Sequence, residues 1–302
     1  MSAAPPTFAQ SGGFLGLGPR ADAAIAVAGI PFDIGTTNRS GARFGPTAIR
    51  QASRMLVDGL HPQRWVDPAR GAVADVGDFA IALGDIPASL ALIERQAAAH
   101  RHLVALGGDH GVTLALLRAL AKRRGGPVAL VHFDAHVDTW PDSFGQRYGH
   151  GSVFFNAIEE GLVDPRRMIQ IGIRSPVQRE VWDWTLGKGV TIVTAERAHE
   201  LGAAAVAEAI RAAIGDSGAY LSFDIDALDP AFAPGTGTPE IGGLASWQAQ
   251  AILRRLGGLD WIGADVVEVA PAYDVAEITA LAAATIAWEY LALAGGSGAS
   301  RA

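Results

Sequence analysis

Seven short stretches of the chain are largely apolar without polar alternation: Ala23 to Ile30, Leu103 to Leu106, Val128 to Phe133, Met168 to Ile173, Val190 to Val193, Ala219 to Phe223 and Trp261 to Val269. A strand that buries only one face alternates apolar and polar residues, so continuous runs predict strands covered on both faces. Between them, apolar residues recur at helical spacing over Ala88 to His100, Val112 to Lys122, Ala203 to Ile214, Ser246 to Leu256 and Ile278 to Leu293. Strands each followed by a helix predict an α/β fold with a parallel sheet between helical layers. Residues 1–22, rich in Gly, Pro and Ala, read as an irregular arm, and 23–302 as one domain with no linker-like shift.

Composition narrows the function. The chain has 302 residues, 49% of them hydrophobic, which is ample for a large core. A net charge of −7 and no dense block of Lys or Arg disfavour a nucleic-acid partner. There is no cysteine, so a metal would be held by His, Asp, Glu or water. The most apolar run, Ile278 to Ala294, contains Glu289 and falls short of the ~20 residues of a membrane span, so it reads as a buried helix. The N-terminus carries no basic patch followed by an apolar core, so a cytoplasmic protein without a membrane partner is expected.

Functional groups in parallel sheets gather at the carboxyl ends of strands, and three of these strands end in ligand-type residues. Leu103 to Leu106 runs into Gly107-Gly108-Asp109-His110, Val128 to Phe133 into Asp134, His136 and Asp138, and Ala219 to Phe223 into Asp224 and Asp226. Spacing by two puts side chains on one face of an extended segment. Four carboxylates packed together repel unless cations neutralise them. Six ligands of this kind, two of them bridging, suit a pair of divalent ions roughly 3.5–4 Å apart that activate a shared water. By contrast, Gly35 to Arg50 lacks the spacing of a phosphate loop, and Arg43 and Arg50 are equally suited to structural contacts. His132 reads as a core residue with a hydrogen-bond partner, and Asp109 and Asp229 as groups that orient loops.

Gly107-Gly-Asp-His110, Phe133-Asp-Ala-His-Val-Asp138 and Ser222-Phe-Asp-Ile-Asp-Ala-Leu-Asp-Pro230 resemble the signatures of the ureohydrolases, the arginase and agmatinase family. The likeness continues through Gly235-Thr-Gly-Thr-Pro239, Val266-Val-Glu-Val-Ala-Pro271 and Glu277-Ile-Thr-Ala-Leu281, and spans roughly residues 25 to 293. Gly29-Ile-Pro-Phe-Asp33 and Phe44-Gly-Pro46 are similar to the agmatinase branch. The resemblance implies a three-layer α/β/α arginase-like fold with a central, mostly parallel sheet of about eight strands. It also implies a ureohydrolase catalytic domain, assembly as a trimer or hexamer, and two Mn²⁺ ions per subunit, although the same donors accept Ni²⁺ or Co²⁺. By motif position, His110, Asp134, Asp138 and Asp224 would hold one ion and Asp134, His136, Asp224 and Asp226 the other.

The implied reaction is hydrolysis of a small guanidino compound to urea and an amine by a hydroxide shared between the ions, with agmatine expected to give putrescine. Asp138 would help move a proton, and His150, in Tyr148-Gly-His-Gly151, would act as proton shuttle. Glu268 would pair with the guanidinium; a carboxylate on an apolar strand requires a cationic partner. The loop Thr139 to Tyr148 is expected to shape the pocket for the substrate's tail, with Asp142 suited to an ammonium and Arg147 to a carboxylate. Arg39 and Arg43 are further partners for a carboxylate, and Thr236 and Thr238 suit either substrate contact or turn formation. A guanidino-acid hydrolase, a single-zinc deacetylase and a catalytically silent partner subunit remain as alternative readings.

Overall fold

A computed structural model describes residues 12–69 and 72–295. Its centre is a sheet of eight strands: β1 (Ile25–Gly29), β2 (Val73–Asp78), β3 (Leu103–Leu106), β4 (Val128–Phe133), β5 (Val163–Ile173), β6 (Thr191–Thr194), β7 (Ala219–Asp224) and β8 (Trp261–Val267). The order across the sheet is β2-β1-β3-β8-β7-β4-β5-β6, and every pairing is parallel. Eight α-helices accompany it among the described residues: α1 (Gly45–Ala52), α2 (Ile86–Ala97), α3 (Val112–Arg124), α4 (Val153–Glu159), α5 (Arg179–Lys188), α6 (Ala195–Ile214), α7 (Ser246–Arg254) and α8 (Ile278–Gly295). This is a three-layer α/β/α architecture around a parallel sheet of eight strands, as the sequence leads one to expect.

Successive residues of a strand face opposite sides, and each side has its own core. Val131 and Phe133 of β4 join Leu221, Phe223, Ile169 and Ile171 on one face, together with α6, α7 and α8. Leu130 joins Ala28, Ala105, Met168 and Tyr220 on the other, with α2, α3 and α4. Burial on both faces explains the continuous apolar runs.

Several elements escape hydrophobic periodicity. β2 is an edge strand whose last residues are exposed, and its Asp75 and Asp78 pair with Arg50 at 2.7 and 2.5 Å. Arg43 bonds Asp33 through Nε at 2.5 Å, so Arg43 and Arg50 both serve the fold. α5 buries only Thr185, which leaves it no apolar stripe to read. α6 starts at Ala195 and breaks at Gly202, where φ is +71°; its second half matches the expected helix. The expected N-terminal arm lies partly outside the described residues, but Phe14 and Leu15 are buried and Phe14 N donates to Asp75 at 2.5 Å.

α8 is, among the described residues, the only helix long and apolar enough to cross a membrane. Its Glu289 is buried and accepts from Arg254 Nε at 2.7 Å, with His61 Nε2 2.8 Å from the other oxygen. A paired carboxylate of this kind belongs to a packed core.

Candidate metal centre

The strand ends β3, β8, β7 and β4 are neighbours in the sheet, so their loops meet above one point. Gly108 passes so near Phe32 that a Cβ there would lie 1.7 Å from the Phe32 carbonyl oxygen. Only glycine allows that approach. Beyond it, the Asp109 carboxylate accepts from Gly35 N at 2.8 Å and Gly111 N at 3.0 Å, which holds the turn and aims His110 inward. Asp109 therefore orients the loop, as its motif position suggests. Burial and then the Glu268 charge push its carboxyl up to about 7.

The spacing of two predicts ligands lined up on an extended chain, but the chain turns instead. β4 ends at Phe133, and Asp134, His136 and Asp138 lie in the following loop, with Asp138 at φ +50°. β7 ends at Asp224, whose Oδ1 accepts from Asp226 N at 2.8 Å to cap a short 3-10 turn over Ile225–Ala227. Backbone hydrogen bonds to the ligands themselves make these turns: Asp134 Oδ1 accepts from His136 N at 2.6 Å and Asp226 Oδ1 from Ala135 N at 3.0 Å.

All six side chains converge. His110 Nδ1 lies 3.2 Å from Asp134 Oδ2, 3.0 Å from Asp138 Oδ2 and 3.3 Å from Asp224 Oδ2. It is buried and makes no hydrogen bond of good geometry to any of them. Three carboxylate oxygens around one ring nitrogen are the donor types that a hard or borderline divalent cation takes. His136 Nδ1 lies 3.2 Å from Asp134 Oδ1 and 3.2 Å from Asp226 Oδ2, a second such group sharing Asp134.

Electrostatics agree with cation binding. Burial, then Asp226 and Asp134, drives the Asp224 carboxyl well above the usual range. Asp226 is raised by burial against the pull of His136. Asp134 stays well below the range despite burial, because His132, His110 and His136 surround it. Burial alone would depress His110 and His136, yet the facing carboxylates hold both imidazoles well above their ordinary value. The cluster demands positive charge.

His132 also stands beside Asp134 and is grouped with it and His110 by distance. Its Nε2 lies 2.7 Å from Asp134 Oδ2 and its Nδ1 3.0 Å from Gln170 Nε2. With both nitrogens engaged by the protein, it supports Asp134 and has no lone pair left for a cation.

Beside the cluster, Glu268 follows β8 at φ +65°. Its Oε1 accepts from His110 N at 2.8 Å and lies 2.9 Å from His150 Nδ1, while its Oε2 is buried with no partner. Burial would lower the His150 imidazole, but Glu268, followed by Asp138 and Asp109, lifts it to about 9. Its Nε2 lies 2.8 Å from Thr37 Oγ1 and 3.2 Å from the Thr37 amide.

Other expected residues are more peripheral. Thr238 Oγ1 donates to Asp226 Oδ2 at 3.3 Å, whereas Thr236 Oγ1 is buried without a partner. Asp142 is exposed and its Oδ1 accepts from Gly145 N at 2.7 Å, which shapes its own loop. Asp229 accepts from Ala231, Gly242 and Gly243 amides at 2.7–3.1 Å and likewise organises a loop.

Residues not anticipated also serve the site. Arg174 donates to the carbonyls of Asp226 at 2.8 Å and Leu228 at 3.3 Å, and so braces the loop carrying Asp226. From within the sheet, Gln170 supports His132, and Ser222, backed by Asp265, supports His110. Gln170 and Asp265 interrupt otherwise apolar strands, the same signal that singles out Glu268.

Comparison with known proteins agrees with this geometry. The Arginase family model matches residues 23–292. The chain is 46% identical over 275 residues to an agmatinase of Chromobacterium violaceum, covering 89% of this chain and 83% of that one. The solved structure of a hypothetical agmatinase from Burkholderia thailandensis is 44% identical, with a TM-score of 0.89, over 95% of this chain and 91% of that one. The proclavaminate amidino hydrolase of Streptomyces clavuligerus is 40% identical, with a TM-score of 0.90, over 97% of this chain and 100% of its own. A shared sheet, shared motifs and this degree of identity along nearly the whole length lead to one conclusion: the chain belongs to the arginase family, on the agmatinase branch of the ureohydrolases.

Proposed function

We propose that the chain hydrolyses agmatine to putrescine and urea at a centre of two Mn²⁺ ions. The observation that carries this reading is the ring of oxygens around His110 Nδ1 beside a second group at His136. His110, Asp134, Asp138 and Asp224 would hold one ion and Asp134, His136, Asp224 and Asp226 the other; Asp134, which faces both histidines, supports that division. When bound, such a pair of ions would lower the pKa of a water held there, so that it attacks as hydroxide at neutral pH.

The protein's own groups supply the rest. Glu268 Oε2, buried and without a partner, accepts a guanidinium N–H of the substrate. Asp138 takes up the proton of the attacking water. His150 is the proton shuttle: its Nδ1 carries a proton toward Glu268 and its Nε2 accepts from the Thr37 amide, so it gives the departing amine the proton that expulsion requires only after Nε2 has left that amide and taken one up. Thr37, on the same Nε2, orients the imidazole, and Thr238 steadies Asp226.

The tail favours agmatine over guanidino acids. Each arginine suited to a carboxylate is engaged elsewhere: Arg43 with Asp33, Arg39 stacked 5.1 Å from the centre of the Tyr273 ring, and Arg147 over Tyr148 at 5.3 Å with Nε 3.3 Å from Asn156 Oδ1. Asp142 is exposed, so its pull on a substrate ammonium is that of a surface pair, under about 1 kcal/mol. We also infer a homo-oligomer working in the cytoplasm. Ile241, Trp247, Val275 and Ile278, which are 84%, 63%, 65% and 42% exposed, are apolar side chains that a subunit contact would cover.

The test is a urea-release panel across agmatine, guanidinobutyrate, guanidinopropionate, arginine and guanidine after loading with Mn²⁺ or Ni²⁺, with metal content measured per chain. Agmatine turnover with two ions per chain is the expected result. One zinc ion with amide cleavage, or no urea from any guanidine, would end this reading.

A further inference from the structure

Asp265 is fully buried in the middle of β8, away from solvent and from the ring of ligand oxygens. A carboxylate there costs several kcal/mol unless it is satisfied. Ser222 on β7 is its register partner. Ser222 Oγ donates to Asp265 Oδ1 at 2.7 Å, while Thr113 Oγ1 and Tyr220 OH both donate to Oδ2 at 2.8 Å. A hydroxyl has one proton. Having given it to Asp265, Ser222 can only accept from His110 Nε2, which lies 2.9 Å away. The proton of a neutral His110 is thereby committed to Nε2, and Nδ1 keeps its lone pair facing Asp134, Asp138 and Asp224.

We propose that Asp265 and Ser222 are positioning residues that fix the tautomer of His110 and so set the affinity of the ion it faces. This rests on the metal-centre reading above and extends it two residues into the core. A charge in the sheet interior thus acts at the strand end through a single hydroxyl. Thr113 and Tyr220 serve to aim the carboxylate. They also predict what an isosteric amide would do. In Asp265→Asn the two hydroxyl donors claim the amide oxygen, leaving its NH₂ to donate to Ser222. Ser222 then turns its proton toward His110 Nε2, and the imidazole must carry its own on Nδ1, against the ion.

The experiment is Mn²⁺ titration of the full chain, followed by calorimetry and electron paramagnetic resonance, for wild type, Ser222→Ala, Asp265→Asn and the double variant. In both single variants we expect one of the two ions to bind about ten- to a hundredfold more weakly. The other ion should bind as in wild type, so at limiting Mn²⁺ the coupled-pair signal gives way to that of isolated ions. The double variant should match Ser222→Ala, because the carboxylate acts only through the hydroxyl, and saturating Mn²⁺ should restore kcat. Circular dichroism of each metal-free protein checks the fold, and either single variant reads the relay if the other fails to fold. Wild-type affinity for both ions in the variants, or additive losses in the double variant, would overturn the relay. His110→Ala separates the two levels: if it still binds both ions, the metal-centre reading itself is wrong.

Discussion

Glu268 and His150 share a hydrogen bond of 2.9 Å between Oε1 and Nδ1, and the other Glu268 oxygen is buried with nothing bound to it. A carboxylate half-used by the protein is poised to receive a cation. In Glu268→Gln the substrate's guanidinium would meet a neutral amide. Losing one member of a buried charged pair costs on the order of 3–5 kcal/mol, so kcat/KM for agmatine is expected to fall at least about a hundredfold. Steady-state urea release measures it, while Mn²⁺ content should stay unchanged; a variant with wild-type kcat/KM would remove Glu268 from substrate binding.

Asp134 touches both ligand groups, through Oδ2 toward His110 and Oδ1 toward His136. Asp134→Ala is expected to abolish metal retention and urea release together, as read by elemental analysis after gel filtration and by activity. Retained activity would contradict the ligand assignment.

Removing the ions should leave a protein whose stability falls as pH rises. The folded-state pKa of His150 is raised from 6.5 to about 9. A base whose pKa is raised on folding stabilises the fold fully below its unfolded value and loses that contribution as pH climbs through the folded one. Asp109, raised from 3.8 to about 7, acts in the same direction at lower pH, since its folded form holds a proton that the unfolded form has released. Urea midpoints of the metal-free chain should therefore decline between about pH 6.5 and 9, and His150→Gln should flatten that slope. A flat profile in the unaltered metal-free chain would show that the His150–Glu268 pair is not coupled to folding.

Arg174 presents its guanidinium to the carbonyls of Asp226, Leu228 and Glu240 at 2.5–3.3 Å. A lysine ammonium offers three donors from one point and cannot reproduce that fork. Arg174→Lys is expected to lower stability by about 1–3 kcal/mol and to weaken Mn²⁺ binding through the loop that carries Asp226. Chemical denaturation and metal titration test the two effects separately.

Arg147 lies over the Tyr148 ring and beside Asn156, an arrangement internal to its loop. Arg147→Ala should change kcat/KM for agmatine by less than about threefold, because surface substitutions away from a site cost within about 0.5 kcal/mol. A large gain or loss with guanidinobutyrate would instead make Arg147 a selector of the tail.

Much was legible along the chain because burial on two faces writes itself as uninterrupted apolar runs. β1, β3, β4, β7 and β8 could be read that way, and so could the three clusters of ligand residues that follow β3, β4 and β7. β2, α4 and α5 could not. An edge strand with exposed ends, a seven-residue helix too short to show a period and a helix that buries a single side chain leave only a weak periodic trace. Glu268 was visible as a charge on an apolar strand; Asp265, three residues earlier, carried the same mark, but its partners lie on other elements.

What the amino-acid order determined by itself was chemical identity and local spacing: which donors exist, that none is a thiol, and that they follow strand ends. Tertiary structure decided which of them meet. The strand order β3-β8-β7-β4 brings His110 to Asp134 and Asp224 across more than a hundred residues in the latter case. It also engages Arg39, Arg43 and Arg147 with partners inside the fold and hides Asp265 behind Ser222. Local sequence sets dihedral preferences and face, but charge and lone pairs act through space, and only the folded sheet sets those distances.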